Sequence, residues 1–143
     1  MPEPLRQRIT IFDYGAGNLH SLAKAVASFG IEPVIEVDPV RAVETDVLLL
    51  PGVGAFTPAA ERLAPGLAPM RDALRGGLPC LGICLGMQLL LDDSDEGPGA
   101  GLGVIPGRVE RIDAVRLPQI GWNTADAPTD PLFEHSGLRD VYY

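Results

Sequence analysis

The sequence predicts an α/β fold, a mostly parallel central sheet with helices on both faces, and three observations carry that prediction. Short apolar runs closed by turn residues alternate with stretches of helical period, the pattern of a parallel sheet covered by helices. Val47 to Leu50 holds no polar position, as expected of a strand buried on both faces at the sheet centre. The 143 residues, 46% of them hydrophobic, suffice for one substantial core, since a chain of this size buries about 68% of its unfolded surface. Residues 1–143 are therefore expected to form a single domain.

Each element has a local reason. Ile9 to Phe12 is the first strand, ended by Asp13-Tyr14-Gly15. After the turn Gly15-Ala16-Gly17, Asn18 is placed to cap a helix whose apolar positions Leu19, Leu22, Ala23, Val26 and Phe29 keep a 3.6-residue period. Gly30 ends it as a C-terminal glycine. Pro33 to Val37 reads as the second strand, Arg41 to Thr45 as a helical turn and Val47 to Leu50 as the third strand, closed by Pro51-Gly52-Val53-Gly54. Pro58, Pro65 and Pro69 cut the stretch from Ala55 to Gly77, which predicts two short helices in place of one. Pro79 to Ile83 is the fourth strand and Cys84 to Leu91 the helix after it. Beyond Asp92 the chain is rich in turns, and Gly107 to Ile112 and Arg116 to Ile120 are expected to be short antiparallel strands.

Composition excludes several classes. A net charge of −8 repels phosphate backbones and anionic headgroups, so neither nucleic-acid nor membrane-surface binding is expected. The apolar stretch from Leu78 to Leu91 is too short to span a bilayer and is broken by Gly82, Gly86 and Gln88. MPEPLRQR lacks the apolar region of a signal peptide, which places the protein in the cytoplasm. Cys80 and Cys84 have no spaced Cys or His partners, so they are expected to be free thiols, and no metal or cofactor site is implied.

Chemistry concentrates at Gly82-Ile83-Cys84-Leu85-Gly86, where a buried strand meets a helix. This has the form of a nucleophile elbow with Cys in place of Ser. Glycines two before and two after clear the approach, and the start of a helix favours a thiolate. A lone cysteine is more often a small buried hydrophobe; the glycine bracket and the junction turn the reading toward a nucleophile. Cys80, inside the strand with no flanking glycine, reads as core. Gly52-Val53-Gly54 ends the central strand, so its amides are placed to stabilise an oxyanion formed at Cys84. Gly15-Ala16-Gly17-Asn18 lacks the third glycine of a dinucleotide fingerprint and the Lys of a P-loop, which leaves it a turn.

The blocks DYGAGNLHS (13–21), LLLPGVGAF (48–56), GICLGMQLL (82–90), GLGVIPGRV (101–109) and IGWN (120–123), in this order, resemble the glutaminase subunits of imidazole glycerol phosphate synthase, which are class I glutamine amidotransferases of flavodoxin-like fold. The resemblance implies that Cys84 attacks the side-chain amide of glutamine, giving a glutamyl thioester and ammonia. It implies Gly54 and the amide of Leu85 at the oxyanion, and Gly52 and Gln88 at the substrate. It also implies a partner, a cyclase subunit shaped as a (β/α)8 barrel that uses the ammonia in histidine synthesis, with Asn18, Trp122 and Asn123 near that interface. On spacing alone Trp122 is only a half-buried aromatic.

Two departures stand out. The family completes its triad from a His-Pro-Glu or similar block, which these residues lack, and Gln119 stands where many members have His. His20 reads as solvated on a helix face and His135 as a loop residue. Asp140-Val141-Tyr142-Tyr143 resembles the start of the strand before the catalytic His, so a C-terminal segment is expected to be missing, leaving a sheet edge and part of the core exposed. The alternatives are a non-catalytic module that binds glutamine or docks to a cyclase, and another class I amidotransferase serving vitamin B6 or nucleotide synthesis.

Overall fold

Strand β1 (Ile9–Phe12) lies inside a four-stranded parallel sheet of order β2-β1-β3-β4, with β2 at Val34–Glu36, β3 at Val47–Leu50 and β4 at Cys80–Gly82. The computed structural model describes residues 7–124, 130–134, 136, 137 and 139–142. From β1 the chain crosses to β2 on one side, then returns to build β3 and β4 on the other, so the order reverses between β1 and β3. Crevices outside the carboxyl ends of strands at such a reversal are where open α/β sheets bind ligands. The chain divides into two units at Arg111/Ile112, the described residues up to Arg111 forming the first and those from Ile112 the second.

Register sorts the strand side chains between two faces. Ile11, Leu49 and Leu81 are aligned on one, Thr10, Leu48 and Cys80 on the other. The second face carries the core: Phe12, Leu48 and Leu50 meet Phe56, Ala59, Ala60 and Leu63 of α2 (Phe56–Leu63) and Met70 and Leu74 of α3 (Leu67–Arg75). A 3-10 turn at Ala64–Gly66 separates those helices, so two short helices form as expected. Only Pro65 interrupts them; Pro58 and Pro69 occupy first turns, where a missing N–H costs nothing.

The opposite face is thinly covered by α1 (Leu19–Ala27), none of whose residues is fully buried. Asn18 caps α1 by accepting the Ser21 N–H at 3.1 Å, and Gly30 takes a φ of +80° just past its end. The apolar period predicted from Leu19 to Phe29 holds only to Val26: Phe29 lies beyond the helix and is 82% exposed. Leu22, Ala25, Val26 and Phe29 line an open apolar groove of about 430 Å³ with Ile9, Leu49 and Leu81. β2 and β4 are the sheet edges.

Two further expectations are corrected. The helix after β4 is α4 (Leu85–Gln88), not Cys84 to Leu91, because the returning chain takes its terminal carbonyls. Leu102 N–H donates to Leu89 O at 2.7 Å and Val104 N–H to Leu90 O at 2.9 Å, ending the helix in tight turns. The predicted antiparallel pair at 107–112 and 116–120 is absent. Instead β5 (Asp93–Ser94) and β6 (Arg108–Val109) form a parallel bridge, with Arg108 ion-paired to Asp93 at 3.0 Å and Asp95 at 2.8 Å. Residues 116–120 are not strand, and Pro118 has no N–H for a ladder. In the second unit β7 (Trp122–Thr124) pairs antiparallel with β8 (Asp140–Tyr142).

Candidate functional site

Cys84 takes φ +51° and ψ −106°, the only positive φ among described residues other than glycine. A side chain in that region is strained and persists only when its surroundings enforce it, which is common at active sites. Here the enforcement is the junction itself. β4 stops at Gly82, the Ile83 N–H still donates to Leu50 O at 2.9 Å, and α4 starts at Leu85. Cys84 sits at the α4 N-cap, and it is exposed.

The bracketing glycines serve backbone packing as much as approach to the thiol. A Cβ on Gly82 would come within 2.8 Å of the Gly86 carbonyl and the Met87 Cα, and one on Gly86 would overlap the Leu50 carbonyl oxygen. α4 therefore rests directly on β3 and β4, which fixes the height of Cys84 at the sheet edge.

The turn after β3 meets this elbow. A Cβ on Gly52 would lie 2.6 Å from Leu85 Cβ, 2.9 Å from the Gly86 nitrogen and 3.0 Å from the Tyr14 hydroxyl. Gly54, at φ +135°, lies beside Ala16 and the Leu85 side chain. Gly17, at φ +99°, approaches Pro51 and Gly52, so the turn after β1 joins the same cluster. Gly52, Gly54, Cys84 and Leu85 are thus brought together at the carboxyl edge of the sheet, next to the β1/β3 reversal. The order of the strands, not any one motif, assembles them.

Two buried polar atoms here lack hydrogen-bond partners, the Tyr14 hydroxyl and Gln88 Oε1. Gln88 lies on α4, where its backbone N–H donates to the Cys84 carbonyl at 3.1 Å. An unsatisfied acceptor within one turn of an exposed thiol suits a ligand carrying N–H groups. Burial pushes the Cys80 thiol up to about 11, consistent with its packing against the core. Tyr14 is raised further above the usual phenol range, first by burial and then by the charges of Cys84 and Cys80. Sequence reasoning passed over Tyr14; the available signal was strand alternation, which puts position 14 on the core face with Phe12, and the two rings lie 5.5 Å apart.

Asn18 is exposed, with its side-chain oxygen committed to the α1 cap. Within the second unit, Trp122 is 74% exposed, not half-buried, and packs edge-on against Tyr142 at 5.5 Å. Asn123 donates to the Gly121 carbonyl at 3.2 Å and accepts from Gln119 at 3.4 Å. His20 is exposed on α1, and His135 lies outside the described residues. Among the described residues no group of three or more His, Cys, Asp or Glu could hold a metal ion, and no helix is long and apolar enough to cross a membrane.

A parallel sheet that presents a cysteine on a left-handed strand-to-helix turn, with a glycine turn against it, fits the class of glutamine amidotransferases. The profile of the family Glutamine amidotransferase class-I matches residues 10–124, and the chain belongs to that family. Within it the chain is similar to proteins named imidazole glycerol phosphate synthase subunit HisH. It is 50% identical to that of Symbiobacterium thermophilum over 95% of this chain and 66% of the relative, and 41% identical to that of Synechococcus elongatus over the same shares. The Corynebacterium glutamicum protein is 42% identical over 97% of this chain and 68% of its own length. The chain spans about two thirds of the length of the curated relatives it matches.

Proposed function

We propose that the chain carries the nucleophile half of a glutaminase that supplies ammonia for imidazole glycerol phosphate formation. The observation that carries this reading is Cys84 held exposed at φ +51° against the Gly52–Gly54 turn. The Cys84 sulfur attacks the side-chain amide carbon of glutamine, and the carbonyl π electrons move to oxygen. Backbone amides of Gly54 and Leu85 stabilise that oxyanion. Collapse breaks the C–N bond, the leaving nitrogen takes up the proton given up by the Cys84 thiol and departs as ammonia, and a glutamyl thioester remains. Water then cleaves the thioester, giving glutamate and the free thiol. Gln88 Oε1 and the backbone at Gly52 hold the substrate.

The residues form one amidotransferase domain with no cofactor, acting in the cytoplasm. Its partner is a cyclase subunit of (β/α)8 shape, with Asn18 in the first unit and, separately, Trp122 and Asn123 in the second as contacts; what supports this is the HisH naming of the relatives as a subunit and the exposure of Trp122 and Asn18. The rival reading is a docking module that binds glutamine without turnover. Labelling with a glutamine-derived chloromethyl ketone tests the nucleophile. Alkylation should be confined to Cys84, slowed by free glutamine and abolished in Cys84→Ala; equal labelling of Cys80, or no protection by glutamine, would remove the assignment. Ammonia release stimulated by the cyclase separates the glutaminase from the docking module.

A further inference from the structure

Helix α2 starts without a cap of its own. Its N-cap position is Ala55, which offers no side-chain acceptor to the first amides of the helix. The acceptor comes from 40 residues further on: the Phe56 N–H donates to Glu96 Oε2 at 3.3 Å. Further contacts press the same segment onto α2. Thr57 Oγ1 donates to the Pro98 carbonyl at 2.6 Å, a Cβ on Gly97 would stand 2.5 Å from Thr57 Oγ1, and one on Gly99 would stand 2.7 Å from Ala60 Cβ. The hydroxyl of the buried Ser94 accepts the Glu96 N–H at 3.1 Å, which fixes the backbone from which the carboxylate reaches out.

Phe56 is also the far end of the glycine turn, whose near end, Gly52, is wedged against Leu85 and Gly86. Between the two, Val53, Gly54 and Ala55 are exposed, and their amides donate to nothing among the described residues. Gly54, at φ +135°, is equally unconfined: a Cβ there would meet only Ala16 and Leu85, at 3.4 and 3.7 Å. We propose that Glu96 is a positioning residue for this turn, holding the Phe56 N–H so that the Gly54 amide stays aimed at the oxyanion. This rests on Gly54 and Leu85 supplying the oxyanion donors. Such a donor is effective only if it is oriented before charge develops. The buried Phe56 ring fixes where α2 begins. Rotation of the peptide between Ala55 and Phe56 is a separate freedom, and the bond to Glu96 is what restrains it.

The test uses 4-oxobutanoate, an aldehyde without an ammonium group. The Cys84 thiol adds across its C=O: an S–C bond forms, the π electrons pass to oxygen, and that oxygen takes the thiol proton. Its affinity therefore reports the oxyanion donors, whereas alkylation of the same thiol by iodoacetamide forms no oxyanion. The aldehyde concentration that halves alkylation of the Cys84 peptide is read by mass spectrometry for the 143-residue chain and its variants. In Glu96→Ala that concentration should rise about five- to twentyfold, with the alkylation rate in the absence of aldehyde unchanged. Glu96→Gln keeps a carbonyl acceptor and should stay within about twofold of wild type. Thr57→Val removes the neighbouring bond to Pro98 and leaves Glu96 in place, so it should lower the melting temperature without weakening aldehyde uptake. Unchanged uptake in Glu96→Ala, equal weakening in Glu96→Gln, or as large an effect from Thr57→Val would each overturn the positioning role alone. A wild-type chain that takes up no aldehyde would remove the oxyanion reading itself, and this proposal with it.

Discussion

At the residue scale, Gly86 shows how completely one missing Cβ can determine a site. The atom a Cβ would strike is the Leu50 carbonyl oxygen, part of β3 in the sheet centre, with Leu50 Cβ a further 2.9 Å contact. Neither can rotate away as a flexible side chain would. Gly86→Ala must therefore lift α4 off β3, at a cost above about 3 kcal/mol by analogy with overpacked cores. Gly77→Ala is the control for general glycine loss, since nothing lies within 4 Å of it and only its φ of +100° resists. Urea denaturation of both variants should show the larger drop for Gly86→Ala, accompanied by loss of selective Cys84 alkylation. The glycine spacing was legible in the sequence. Its purpose was legible only in part, because a motif shows which residues are small and not what backbone lies against them.

At the element scale, α1 forms where its cap and period place it, but it contributes little burial. Its stability leans on local terms, so the Asn18 cap should be visible in the melt. Asn18→Ala deletes the acceptor of the Ser21 N–H and should cost about 1 kcal/mol. Asn18→Asp keeps an acceptor and should recover most of it; equal losses in both would show that the cap is energetically idle. The four main strands were readable because each is a run of apolar residues closed by turn chemistry. β6 was readable only as a strand within 107–112; β5 and the parallel pairing of the two were not, since each is two residues long and they pair through Arg108 reaching Asp93 and Asp95. Ion pairs between residues so far apart in sequence leave no periodic trace. The early end of α4 was hidden for the same reason: the groups that end it come from residues 102–105.

At the scale of the whole molecule, one sheet face is packed by α2 and α3, while the other, though Ile11 and Leu49 are buried, opens at Leu81, which is 51% exposed. Stability therefore rests on the packed face, to which Cys80 belongs, and this gives it a defined dependence on pH. The Cys80 thiol rises from 9.0 to about 11 on folding. Below 9 both folded and unfolded chains hold the proton, and the contribution of the buried neutral thiol is fully present. Between 9 and 11 the unfolded chain releases its proton while the folded chain keeps it. The unfolded state then binds fewer protons, so stability falls as pH rises through this window. Two pH units bound the loss at about 2 to 3 kcal/mol. Tyr14, raised in the same direction, extends the decline at higher pH. Urea midpoints measured across this range should fall steadily for the wild type. Cys80→Ala will start lower, having lost a packed side chain, but its midpoint should fall less steeply between 9 and 11. Parallel slopes for the two proteins would mean that Cys80 is solvated in solution and that the packed face opens at β4.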